Sequence, residues 1–128
     1  MHGRFDGAPR AELRCPGGAL NAVVAKGFTL RLLGLIRLEA AEFEPLLIPN
    51  CRSIHTYWMR TPIDIVWMEI DGERARVLGG VEALGPGRNA GAPRRAGPQR
   101  SIAALELAPG EGRRLSLTPT TEVEIDPW

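Results

Sequence analysis

The apolar positions of this chain fall in short runs separated by glycine and proline, and the longest run defines its centre. Ile63-Asp64-Ile65-Val66-Trp67-Met68-Glu69-Ile70 is rich in β-branched and aromatic side chains and is almost continuously apolar. Such a run predicts a strand covered on both faces rather than one. Pro62, lacking an N–H, sits where a strand begins. Asp71-Gly72 supplies the positive φ that a tight hairpin turn requires, and Arg74 to Leu78 is the predicted return strand, with Ala75 and Val77 on one face. Upstream, Ser53 to Met59 is expected to be extended. His55, Tyr57 and Met59 would then share one face, and Ile54, Thr56 and Trp58 the other.

The same reading predicts strands over Ala11–Cys15, Ala19–Ala25, Leu46–Ile48, Ile102–Leu107, Arg113–Leu117 and Thr121–Ile125, with Val123 and Ile125 facing one way and Glu122 and Glu124 the other. Only Phe28–Arg37 has helical spacing, through Phe28, Leu32, Leu35 and Ile36. Gly34 within it, unfavourable in a helix interior by about 1 kcal/mol relative to alanine, points to close approach of another backbone. Many short strands and one helix predict a mainly β fold, a compact antiparallel β-barrel or sandwich with one short α-helix packed on it. Residues 1–10 are Gly/Pro-rich and read as a frayed tail, with residues 11–128 forming a single β-rich domain.

Asp64 is the anomaly of the central strand, because a carboxylate among apolar neighbours needs a partner. Arg60 and His55 are the nearest cationic candidates. One reading is a structural salt bridge that fixes the bend at Thr61-Pro62; the other is a polar cluster lining a pocket. Glu106, between Leu105 and Leu107, poses the same question. Arg31 either lies along the surface with its head in solvent or completes a buried cluster with Asp64 or Glu106.

The residues Cys51-Arg52-Ser53-Ile54-His55-Thr56-Tyr57-Trp58-Met59-Arg60-Thr61-Pro62-Ile63-Asp64-Ile65-Val66-Trp67 resemble the signature of the domain-of-unknown-function 192 family of small bacterial and archaeal proteins. Phe28 to Leu35 is similar to that family's R-x-x-G-L segment, and Ala104 to Gly110 to its V-L-E-L-P-A-G segment. The resemblance extends over about residues 20–125. It implies a compact, mainly β fold and no established activity. One departure stands out: the family commonly has Pro-Trp-Arg after the second hairpin strand, where this chain has Pro86-Gly87-Arg88.

Composition narrows the function classes. The chain has 128 residues and a formal net charge of +1, so no global field favours nucleic acid or anionic lipid. Residues 85–100 carry four arginines without an interleaved aromatic, so no stacking surface for single strands is expected there. That loop reads as solvated, with capture of an anion or substrate as the alternative. No apolar run spans a bilayer and no secretory signal is evident, so a cytoplasmic protein with two reduced thiols, Cys15 and Cys51, is expected. Neither a phosphate-binding glycine loop nor a G-x-S-x-G elbow occurs. Cys51, His55 and Asp64 match no metal-site spacing, so no metal and no cofactor is assigned. A Cys51–His55 nucleophilic pair is disfavoured, since positions i and i+4 of a strand lie about 13 Å apart.

Two functions remain. The first is a non-catalytic binding or interaction module whose site includes His55, Tyr57, Arg60, Asp64, Glu106 and Arg31, taking a small polar ligand or a protein partner, as a monomer or weak homodimer. The second is a hydrolase or lyase for a small polar substrate, with Asp64 or Glu106 as general base.

Overall fold

A computed structural model describes residues 3–27, 34–93 and 102–126 of the chain. Its strands are β1 (Arg10–Cys15), β2 (Gly18–Val24), β3 (Leu46–Pro49), β4 (Ser53–His55), β5 (Ile63–Asp71), β6 (Arg74–Leu84), β7 (Asn89–Gly91), β8 (Ile102–Leu107) and β9 (Glu122–Asp126). A single α-helical turn, α1 (Glu111–Arg114), follows β8. Seven strands close into a barrel in the order β1-β2-β3-β8-β5-β6-β9, and β9 pairs back onto β1. β4 and β7 form a separate two-stranded ribbon. The mainly β expectation holds. All neighbours in the barrel are antiparallel except β2 and β3, which are parallel. A parallel pair needs a long crossover, and residues 25–45 provide it.

β5 lies between β6 and β8, and both its faces are buried, as its unbroken apolar run requires. Val66 and Met68 join Leu13, Leu47, Leu105 and Val77 inside the barrel. Ile63, Ile65 and Trp67 face the other way, against Leu35, Leu46, Ile48, Met59 and Ala104. That outer layer is covered by Leu35, Ile36, Leu38 and Phe43 and by the segment around Cys51–Met59. The Trp67 indole N–H is buried there without a hydrogen-bond partner among the described residues. At the β5–β6 turn, Asp71 pairs with Arg74, which leaves Gly72 and Glu73 as a two-residue loop. Gly72 has φ 63°, the left-handed value a primed hairpin turn demands at its first position.

Two expectations need correction, and two more meet the structure only in part. Ser53–Met59 is not one extended segment: the strand ends at His55, and Trp58 has φ 64° in a turn closed by the Met59 N–H to Thr56 carbonyl bond. Arg113–Leu117 alternates like a strand, yet it forms the end of α1 and a turn with Ser116 at φ 58°. This lets Leu115 and Leu117 plug one end of the barrel. The helix expected over residues 28–37 lies outside the described residues for 28–33. The rest is a turn, with Gly34 at φ 48° and Arg37 at φ 65°, so it is not helical there. Finally, Phe5 is buried in the outer layer, and the Arg4 guanidinium donates to the carbonyls of Gly34 (3.0 Å) and Ile36 (2.7 Å). These two residues are therefore packed, not frayed.

Gly17 explains how α1 is seated. Its N–H donates to the Leu115 carbonyl at 3.1 Å, and a β-carbon on it would lie 2.3 Å from the Arg114 carbonyl oxygen. Only glycine permits this approach of the β1–β2 turn to the helix end. Among the described residues, no helix is long and apolar enough to cross a membrane. Neither cysteine is in a disulfide among the described residues: Cys15 packs against the barrel interior and Cys51 belongs to the outer layer.

Candidate functional site

The outer layer between β3, β8, β5 and the Cys51–Met59 segment encloses a cavity of about 190 Å³. Its apolar walls come from Leu35, Ile36, Ile48, Met59 and Ile63, and Cys51 and His55 lie at its polar side. Glu106 also lines it. The β8 register explains this placement. Glu106 stands opposite Ile65 of β5 and Leu46 of β3, both of which face the outer layer. Residues directly opposite in an antiparallel pair share a face. Alternation along β8 therefore sends Leu105 and Leu107 into the barrel and Glu106 into the cavity.

Glu106 is only 6% exposed, and no group among the described residues hydrogen-bonds to it. Burial in this apolar setting raises its carboxyl from the ordinary 4.5 to about 7. The physical cause is loss of water around the charged form. The ionisable groups beside it in the cavity wall are the Cys51 thiol and the His55 imidazole; no arginine or lysine lines the cavity among the described residues. The Cys51 thiol donates to the Ser53 carbonyl at 3.3 Å.

Above His55 is an aromatic cluster. The Tyr57 ring stacks on His55 with centroids 5.0 Å apart, and Trp58 meets both edge-on, at 6.5 Å from His55 and 6.2 Å from Tyr57. Tyr57 is 42% exposed and Trp58 68% exposed, so the cluster faces solvent. Asn89 of β7 donates to the Tyr57 hydroxyl at 3.2 Å. The device that holds this turn is Thr56, fully buried beneath it. Its hydroxyl donates to the Gly85 carbonyl (2.6 Å) and accepts from the Arg88 N–H (2.9 Å). Its main chain exchanges further bonds with Arg88 and Gly87. The Pro86-Gly87-Arg88 departure is thus a loop clamped to the aromatic turn, with Gly87 at φ 73°. A bulky residue held at positive φ, as Trp58 is, stores on the order of 1–3 kcal/mol, sustained only by such surroundings.

Asp64 is not part of this site. It lies on the opposite face of β5, 2% exposed, and makes no salt bridge with Arg60 or His55. Its Oδ1 accepts from the Ala83 N–H at 2.8 Å, and its Oδ2 from the N–H groups of Gly110 (2.9 Å) and Gly112 (3.1 Å). The β5–β6 register shifts between Ile63 and Ile65, and Ala83 takes φ 47°. The Asp64 carboxylate reaches the main-chain donor at this irregularity and ties β5, β6 and α1 together. It borders a second, wider cavity of about 530 Å³, at whose rim Arg113 and Glu82 form an ion pair at 3.0 Å.

Arg60 is exposed and pairs with Glu39 at 3.5 Å, away from both carboxylates. The anticipated Arg60–Asp64 pair is therefore replaced by backbone donors. Arg31 lies outside the described residues. Of the side chains the sequence singled out, the structure brings together His55, Tyr57 and Glu106, and separates Arg60 and Asp64 from them. Thr56, Met59 and Cys51 complete the surroundings. Thr56 left no legible signal beyond its place in the motif, because its role depends on loop carbonyls about 30 residues away. Among the described residues, no three His, Cys, Asp or Glu side chains come together as a metal ion would need.

Comparison with known proteins agrees with this architecture. The crystal structure of a protein of unknown function from Novosphingobium aromaticivorans DSM 12444 superposes with a TM-score of 0.70 at 21% identity, covering 97% of this chain and 91% of that one. At that identity the likeness establishes the fold alone. No curated protein matches the chain. The model of the DUF192 family (Uncharacterized ACR) matches residues 12–125, from β1 through β9. That match takes in the Cys51–Trp67 motif that builds the aromatic turn and the β8 segment that carries Glu106, and the chain belongs to the DUF192 family.

Proposed function

We propose that the protein is a small-ligand binding module whose site is the cavity lined by Glu106 and His55, with the Tyr57–Trp58 turn at its edge. One observation carries this reading: a carboxyl group nine-tenths buried, without a partner among the described residues, borders an open space. An unsatisfied buried acid is unfavourable for folding by itself. A ligand that brings a hydrogen-bond donor removes that deficit. The cavity is smaller than the 300–1,000 Å³ typical of drug-sized ligands, so a compact molecule fits it. Asp64 and Arg60, first grouped with this site, drop out of it.

The test is native mass spectrometry of freshly purified protein, followed by ¹H–¹⁵N spectra recorded against a library of compact polar fragments. Retained mass, or fragment-induced shifts confined to the amides of Gly34–Ile36, Ser53–His55 and Glu106, supports the site. Shifts that gather elsewhere on the barrel, with these amides unmoved, overturn it.

A second reading is favoured by the position of the Glu106 carboxyl near neutrality, which suits a general base. A hydrolase or lyase would then use Glu106 and not Asp64, whose two oxygens are already taken by main-chain donors. It requires turnover that rises with pH through about 7 and disappears in Glu106→Gln while fragment binding persists. Equal turnover in the two proteins rejects it.

A further inference from the structure

The cavity specifies the charge of its ligand. We propose that it takes a small organic cation, an alkyl ammonium or guanidinium group, with the positive head on Glu106 and the apolar portion between Leu35, Ile36 and Ile63. This rests on the cavity being a binding site and adds what it selects. The argument begins with the lining. Glu106 offers acceptor lone pairs, and no arginine or lysine among the described residues lines the cavity to balance it. Among the described residues nothing that lines the cavity would compensate an anionic ligand against this acid. A neutral donor would satisfy one lone pair. A cation supplies both donors and charge, and charge-assisted bonds are about twice as strong as neutral ones.

The surroundings favour the same choice. Low-dielectric walls strengthen an ammonium–carboxylate pair well beyond its value in water. They also penalise either charge when alone, so the two are stable there only together. Beside the cavity-lining His55, Tyr57 stacks on the imidazole and Trp58 meets both rings edge-on, which leaves the exposed Trp58 ring next to the cavity wall as a surface of the kind that attracts organic cations through its quadrupole. Trp58 stays solvent-facing and in a left-handed conformation, braced by Thr56. Buried acid and exposed aromatics are independent features that converge on one chemistry.

Among the described residues, the titratable groups that line the cavity with Glu106 are Cys51 and His55 from the segment before β5, while β3, β5 and the 34–36 turn present Leu46, Ile48, Ile63, Ile65, Leu35 and Ile36. Cation binding therefore competes with protonation of Glu106. Below about pH 7 the affinity falls up to tenfold per pH unit.

The experiment titrates the full-length protein with cyclohexylmethylammonium and with its neutral isostere cyclohexylmethanol. Binding is followed by ¹H–¹⁵N NMR at pH 6, 7 and 8. The expected result is at least tenfold tighter binding of the ammonium at pH 8, a ratio that shrinks toward pH 6, and equal affinities in Glu106→Gln. The pH series on the unaltered protein decides the matter even if that variant folds poorly. Equal affinity of the two probes at pH 8 overturns the cation assignment but leaves the binding site standing. If neither probe moves the cavity amides while other fragments do, the cation assignment fails alone. If no fragment of any class moves them, both readings fail.

Discussion

Replacing Glu106 with glutamine should change how stability depends on pH, in a direction the structure sets. The Glu106 carboxyl is held near 7 in the folded chain against an ordinary value of 4.5, because burial removes water from its charged form. Between those values the folded protein keeps a proton that the unfolded chain has released. Stability contributed by Glu106 is therefore full below about pH 4.5 and is lost as pH rises to about 7. Each pH unit in that window lowers stability by about 1.36 kcal/mol, so the whole window amounts to about 3 kcal/mol. Glutamine cannot ionise, and its amide places a constant, pH-independent demand on the same cavity. The measurement is urea unfolding of the native protein and of Glu106→Gln at half-unit steps from pH 4.5 to 8. Subtracting one curve from the other cancels every other titrating group. The variant should gain about 3 kcal/mol relative to the native protein between the two ends of the series. Two parallel profiles, or a difference that runs the other way, would falsify the assignment of Glu106 as a desolvated acid. A carbon-13 titration of the Glu106 carboxyl checks the same point directly.

Asp64→Asn keeps the shape but turns one acceptor into a donor facing main-chain N–H groups; a loss of about 3 kcal/mol in urea unfolding is expected, and an unchanged midpoint refutes its role as a pin between β5, β6 and α1. Thr56→Val leaves the Gly85 carbonyl and Arg88 N–H unpaired, so stability should fall by about 1–3 kcal/mol. Amide exchange at Gly87 and Arg88 should accelerate, and unaltered protection there contradicts the clamp. Gly17→Ala forces the β1–β2 turn away from Arg114 and should cost about 1–3 kcal/mol, visible as a lower thermal midpoint. Arg60→Ala removes only an exposed pair with Glu39 and should shift stability by less than about 1 kcal/mol; a larger loss would restore Arg60 to a structural role.

The strands were legible because their burial follows the sequence period. Val123 and Ile125 point inward while Glu122 and Glu124 point out, as alternation requires. The unbroken run of β5 announced a strand covered on both sides. Asp71-Gly72 marked the hairpin because only a residue free to adopt positive φ turns there without strain. Where the pattern misled, a local conformation had been overridden by packing. Arg113–Leu117 alternates, yet Leu115 and Leu117 are drawn into the barrel end by a helical turn. Ser53–Met59 looks extended, yet Thr56 bonds to the 85–88 loop and bends it.

The candidate site divides in the same way. His55, Tyr57 and Glu106 were identifiable as polar or aromatic residues in a motif-bearing chain. Their grouping apart from Asp64 was not, because it depends on strand register: a shift of one position would have exchanged the faces of Glu106 and Leu107. The partners of Asp64 were equally hidden, since the donors are main-chain N–H groups, and every residue but proline carries one. Residue type and alternation by themselves determined the class of fold, the family resemblance and the segment that bears the site. Tertiary structure decided which carboxyl is satisfied and which is left waiting in a cavity, because that depends on which backbone atoms the closed barrel brings within hydrogen-bond reach.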